Sequence, residues 1–419
     1  MTATAAITFA FIAAVVLAYG TQLWLARRQF RHVAAHRDAV PTAFADRITP
    51  EAHRRAADYT IAKLRLGTID TLLGWIIAIG MTLLGGLQVI AVLAQSMFGD
   101  GLVAQLAVFA GVGLVSGLLH LPLSWYGTFR VEQAFGFNRM TLPLWFADLA
   151  KGVAVGVIVG APLAAAFLAL MEQAGAFWWL WAWALWIGFQ VLAMWAFPTL
   201  IAPLFNKFSP LTDDALRVRV EGLLARVGFR SRGLFVMDGS RRSSHGNAYF
   251  SGLGSAKRIV FFDTLLERLE GDEVEAVLAH ELGHFKLRHI TKRLVVAFVV
   301  GLAVFALLGL LSNLVAFHVG LGYRPLLTPL DHAATLVLFA FALPPFTFFL
   351  GPLSSRASRR HEFEADAFAA SQADGRALVR ALVKLYEDNA STLTPDPVYS
   401  AFYYSHPPAE RRIARLQGA

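Results

Sequence analysis

The chain has 419 residues, of which 56% are hydrophobic and only 16% charged; it is too apolar for an ordinary soluble globule of that length and belongs in a bilayer. It contains no cysteine, which excludes disulfides, iron–sulfur clusters and thiolate zinc sites and leaves His, Asp and Glu as the strong metal ligands. The formal net charge of +8 would suit nucleic acid, yet the basic residues flank apolar runs, where they hold loops on the cytoplasmic side, so nucleic acid is not an expected partner.

Seven runs are long enough to cross about 30 Å of hydrocarbon: Ala5–Ala26, Leu66–Phe98, Gln105–Tyr126, Gly152–Glu172, Phe177–Phe197, Leu294–Val319 and Ala333–Leu353. The first lacks a basic leader and is followed at once by Arg27, Arg28 and Arg31, so it reads as a retained anchor and not as a signal peptide. Arg27 to Arg65 is rich in Arg, whereas Gly99–Ala104 and Gln173–Ala176 hold no Lys or Arg. The bias predicts an outside N-terminus and a cytoplasmic C-terminus and active site. Residues 1–197 form the first five spans, and 294–353 the last two. The polar stretches 198–293 and 354–419 are expected to fold together as one catalytic domain. Within the first of them, Asp213–Val227 has helical spacing, Leu234–Met237 reads as a strand, and Asn247–Gly252 with Arg258–Asp263 reads as a hairpin around Gly252-Leu253-Gly254-Ser255. A helix begins near Gly271-Asp272, with Asp272, Glu273 and Glu275 suiting the positive end of its dipole.

On that helix His280 and His284 stand four residues apart, so both imidazoles leave one face and can hold one zinc ion per chain, with Glu281 beside them. The pattern His280-Glu281-Leu282-Gly283-His284 would arise by chance in about one chain in a hundred of this length. Two neutral nitrogens serve as ligands, and the carboxylate can take a proton from water and pass it to a leaving amine. A third ligand is needed. His289 lies about 180° around a continuous helix from His280 and is expected at the membrane interface; an extended motif with a further Gly and His fails, because those positions hold Leu287 and Ile290. The segment Arg360-His361-Glu362-Phe363-Glu364-Ala365-Asp366 offers a carboxylate. If it is helical, Glu362 and Asp366 share a face and Glu364 points roughly 160° away. Glu362 is therefore the expected ligand, and Asp366 the acceptor that orients a ligand imidazole.

Further motifs run in one order along nearly the whole chain. They are Tyr126-Gly127-Thr128-Phe129, Phe135-Gly136-Phe137-Asn138, Ile201-Ala202-Pro203-Leu204-Phe205-Asn206-Lys207-Phe208, His245-Gly246-Asn247-Ala248-Tyr249-Phe250, the acidic segment from Glu362 to Ala369, and Tyr404-Ser405-His406-Pro407-Pro408 before Glu410-Arg411. With the zinc helix they resemble the CAAX prenyl protease 1 family, integral-membrane zinc endopeptidases that process prenylated proteins. The resemblance implies a mainly α polytopic fold, with seven transmembrane helices around a chamber and a cytoplasmic gluzincin-type protease domain holding a small hairpin or sheet. It also implies that Asn247, Ala248 and Tyr249 form an edge strand on which substrate backbone pairs, and that His406 stabilises the developing oxyanion. The expected substrates are membrane-associated or C-terminally lipidated peptides, with membrane lipid around a monomeric enzyme. An Arg- and Ala-rich chain without cysteine looks like one from a bacterial inner membrane, where prenylation is not expected, so the substrate stays open. A heat-shock-type quality-control protease is the alternative, but that group has fewer helices. A transporter with an incidental metal site is disfavoured, because His120, Gln190 and Asn313 are isolated within the spans.

Overall fold

The computed structural model describes residues 1–251 and 258–418; the expected turn Gly252-Leu253-Gly254-Ser255 lies outside them. Seven helices are long and apolar enough to cross a membrane, and several run past their apolar stretch. The first, Ala3–Ala35, is capped by the Thr2 hydroxyl and extends about 50 Å at about 1.5 Å per residue, so its Arg-bearing end projects from the hydrocarbon. The expected second span does not run through to Phe98. It is Pro50–Met81 followed by a separate helix, Gly86–Phe98, too short to cross. The chain breaks where Gly85 takes a φ of +77° and where Gly322 crowds against Thr82 and Leu83, leaving no room for a Cβ. Leu102–Glu132, Leu142–Gln173 and Gly175–Phe205 are the third to fifth spans. The sixth, His289–Ser312, stops short of the expected Val319, and Val315–Gly320 is a separate short helix. The seventh is a single 43-residue rod from Leu330 to Gln372, carrying Glu362 well beyond the expected end at Leu353.

Each span packs on the next, from the first round to the seventh, and the seventh packs back on the first. The seventh also packs on the third and fourth. Only 6% of the most apolar window is buried in the fourth and fifth spans, against 44% in the seventh, so most spans have neither face covered and form a wall instead of a bundle. One end of the ring is plugged by a cluster including Phe11, Leu87, Leu168, Leu308 and Leu330. At the other end sits a four-stranded sheet with its helices. The strands are β1 (Phe208–Pro210), β2 (Leu234–Met237), β3 (Ala248–Ser251) and β4 (Arg258–Phe262), in the order β1-β2-β4-β3. The β3–β4 pairing is the expected antiparallel hairpin, while β2 runs parallel to β4. A core around Val220, Leu223, Ile259, Phe261, Leu278 and Leu282 also takes in Ala369, Leu378 and Leu382, so both polar stretches share it.

Candidate active site

The helix Gly271–Lys286 starts at a capping box in which Glu270 and Glu273 satisfy each other's backbone N–H groups. Its glycine at position 283 lets it approach the Glu362-bearing rod closely: a Cβ there would lie 3.0 Å from Ala365 Cα and 3.2 Å from the Ala365 carbonyl oxygen. This contact brings three side chains from two helices to one point. His280 Nε2 lies 3.3 Å from Glu362 Oε2, and His284 Nε2 lies 3.3 Å from Glu362 Oε1. Glu362 is 3% exposed, yet its Oε2 accepts no hydrogen bond. A buried carboxylate oxygen left unbonded beside two imidazole nitrogens is a poor arrangement without a cation and a good one around it. Two imidazoles and one carboxylate, with ligand atoms all within 4.8 Å of one another, match a hydrolytic zinc site, which keeps its fourth position for water.

Asp366 lies one turn beyond Glu362, as the spacing predicts, and its Oδ1 is 2.8 Å from His280 Nδ1. That bond leaves Nε2 as the free nitrogen on the Glu362 side. Arg412, which the sequence reading missed, holds Asp366 with two hydrogen bonds and is itself buried. Its signal was legible: on the helix Ala409–Gln417, Arg412 shares the buried face with Ala409 and Ile413. Burial disfavours charge on His280, but the carboxylates of Asp366 and Glu362 beside it outweigh that and push the imidazole up to about 9. Burial also raises the Glu281 carboxyl above the usual range, although His280 and His284 pull it back.

The remaining predicted residues divide. Glu281, His406, Asn247 and Ala248 line one cavity of about 1060 Å³. His406 Nε2 stands 3.5 Å from Glu362 Oε1 with its side chain 62% exposed. Tyr249 is not in that wall; strand alternation turns it to the other face of the sheet, where its hydroxyl meets Met237 Sδ and its ring meets Phe262 edge-on. β3 pairs with β4 on one side only, which leaves it at the sheet edge. His289, the first residue of the sixth span, is buried, with its Nδ1 3.0 Å from His284 Nδ1, while Glu364 points away from the three-residue cluster and meets His289. The cavity wall draws on the first and second spans, through Leu23, Leu64 and Thr71 among others, while the third and sixth contribute no residue to it. A second group unseen in the sequence ties this wall to the protease: Tyr59 donates to Glu132 at 2.7 Å, His245 stands 3.5 Å from the same carboxylate, and its ring stacks on Phe137.

A wall of membrane helices leading to a His-His-Glu cluster with an adjoining carboxylate defines an integral-membrane zinc metalloprotease. Comparison with known proteins agrees. Residues 29–207 match the family described as CAAX prenyl protease N-terminal, five membrane helices, and residues 210–419 match peptidase family M48. The CAAX prenyl protease 1 homolog of Arabidopsis thaliana is 38% identical over 75% of this chain and 73% of its own length. For CAAX prenyl protease 1 of Saccharomyces cerevisiae the identity is 33% over 95% and 92%. The crystal structure of S. mikatae Ste24p is similar with a TM-score of 0.91 at 30% identity, covering 99% of both chains. The chain belongs to peptidase family M48, within its CAAX prenyl protease 1 group.

Proposed function

We propose that this protein hydrolyses a peptide bond near the lipid-modified or otherwise hydrophobic end of a membrane-associated peptide, at the cytoplasmic boundary of the membrane. The observation that carries this reading is a single cavity wall joining His280, Glu281 and His406 to the first two spans, so that an apolar tail and a scissile bond fit in one continuous space. His280, His284 and Glu362 hold one zinc ion per chain, and Asp366 orients His280. Zinc, when bound, supplies Lewis acidity that makes water easier to deprotonate and a carbonyl easier to attack. Glu281 accepts the proton from the attacking water and delivers it to the leaving amine. His406, on the cavity wall and 3.5 Å from Glu362, donates a hydrogen bond to the carbonyl oxygen as charge develops there. Substrate backbone adds to the free edge of β3 beside Asn247 and Ala248.

The relatives are named for CAAX prenyl proteolysis; for this chain the lipid is left open, since its composition suits a bacterial inner membrane. The Arg-dense stretch Arg27–Arg65 supports an outside N-terminus with the site inside. A ring closed within one chain supports a monomer. The division into spans 1–197 and 294–353 and protease segments 198–293 and 354–419 follows the same polarity pattern. The test is a pair of variants assayed for zinc content and cleavage. Glu281→Gln is expected to keep about one zinc per chain and lose activity by about 10²–10⁴-fold, whereas Glu362→Ala loses the metal. More than a few per cent of activity in Glu281→Gln, or full zinc in Glu362→Ala, would overturn the assignment.

A further inference from the structure

We infer that His289 and Glu364 are positioning residues that fix the ring and tautomer of His284, as Asp366 and Arg412 do for His280. The inference rests on the reading of His284 as a metal ligand. On an uninterrupted helix, residues five apart do not face each other. Here the helix ends at Lys286 with Leu287 as its cap, Arg288 adopts a left-handed φ of 56°, and the next helix begins at His289. The reversal swings the His289 ring back under His284, with centroids 5.2 Å apart and the rings at 70°.

Two ring nitrogens 3.0 Å apart must share one proton between them. His284 Nε2 faces Glu362, so the proton belongs on His284 Nδ1, which donates to His289 Nδ1. His289 then carries its own proton on Nε2 and donates it to Glu364 Oε2 at 3.0 Å, and Glu364 Oε1 accepts from Arg360 Nε at 2.9 Å. Every donor in this chain has an acceptor, and only this direction leaves His284 Nε2 free for a metal. His289 is 1% exposed, so its orientation is set by these bonds and by the His361 ring stacked on it at 4.0 Å and 10°.

His289, His361 and Glu364 also lie close enough to suggest a second metal site. The stacking argues against it. Parallel rings 4.0 Å apart send their in-plane lone pairs side by side, whereas one zinc must sit about 2 Å from each nitrogen along its lone pair.

The experiment measures zinc affinity of the full-length, detergent-solubilised protein by chelator competition, together with the visible spectrum of the cobalt-substituted form. His289→Phe keeps ring volume and removes both nitrogens; it is expected to weaken zinc about 10–100-fold and shift the cobalt bands at unchanged stoichiometry. His289→Asn, whose side-chain oxygen can stand in for the Nδ1 acceptor, is expected to recover most of the loss, and Glu364→Ala to show a smaller loss in the same direction. Wild-type affinity and spectrum in Glu364→Ala and in His289→Phe overturn the inference, as does a second bound zinc that disappears in His289→Phe. Should His289→Phe fail to fold, Glu364→Ala and His289→Asn decide. His284→Ala separates the two levels: if it keeps zinc, the reading of the metal site fails, and if it loses zinc while the His289 and Glu364 variants bind normally, only the present inference fails.

Discussion

Replacing Gly283 with alanine puts the packing of the zinc helix in competition with its intrinsic propensity. Alanine favours a helix interior over glycine by about 1 kcal/mol. Against this, the new Cβ would sit 3.0 Å from Ala365 Cα, 3.2 Å from Ala365 O and 3.2 Å from Phe368 Cβ, where ordinary carbon contacts are about 3.5–4.0 Å. Two of the three atoms are backbone in the middle of a helix and cannot rotate aside, so the helices must part by about 0.5 Å, at a cost of about 1–3 kcal/mol. Fold stability therefore changes little, because the two terms oppose each other. Zinc affinity has no such offset: propensity is the same with and without metal, while the gap opens between His280 and His284 on one helix and Glu362 on the other. A displacement near 0.5 Å is the tolerance of a built site, and we expect about tenfold weaker zinc binding, or roughly 1.4 kcal/mol, with the melting temperature within a few degrees of wild type. Chelator competition and thermal denaturation on the same preparation measure both. Unchanged zinc affinity with a raised melting temperature would show that the helix spacing does not set the ligand geometry.

Asp366→Asn is expected to keep the fold and weaken zinc about 10–100-fold, read by metal analysis after dialysis. Arg412→Met, which leaves Asp366 without its cation, should cost about 3–5 kcal/mol in thermal or denaturant unfolding, and Arg412→Lys should restore only part of it, because a single ammonium does not reproduce two fixed bonds. Acidity should also weaken the metal. His280 is held up to about 9 in the metal-free site, so below that pH the empty site carries a proton that zinc must displace, and affinity should fall about tenfold for each unit of pH between 8 and 7. Competition titrations at the two pH values check this, and equal affinities would contradict it.

The spans, the zinc helix and the Glu362–Asp366 face were legible because each depends on a local period: apolar length for the first, and spacings of four residues for the other two. Where the reading failed, the cause was a contact between distant segments. The break after Met81 has a local mark in Gly85-Gly86, which the apolar run around it masked, and a distant one in Gly322, which presses on Thr82 from far along the chain. His289 was misplaced because a regular helix was extended through Arg288, and no glycine or proline between Phe285 and Thr291 announces the reversal. Tyr249 was grouped with Ala248, although the strand period of two sends adjacent residues to opposite faces; that separation was already legible in the sequence. Arg412 shared the apolar stripe of its helix and was open to the same periodic reading that found Asp366. The Tyr59–Glu132–His245 contact joins three separate segments, and no local pattern encodes it.

The continuity of cavity and active site can be tested in this cysteine-free chain by placing single cysteines at Thr68 and Thr71 on the cavity wall and coupling a bulky maleimide to each. Cleavage of a lipid-tailed peptide and of the same short peptide without its tail would then be measured before and after labelling. If the tail occupies the cavity walled by the first two spans, labelling lowers turnover of the tailed peptide at least tenfold, about 1.4 kcal/mol, and leaves the untailed peptide within about twofold, a change of under half a kcal/mol. Equal rates for the tailed peptide before and after labelling at both positions would mean that the membrane helices only anchor the protease and that the cavity does not receive substrate.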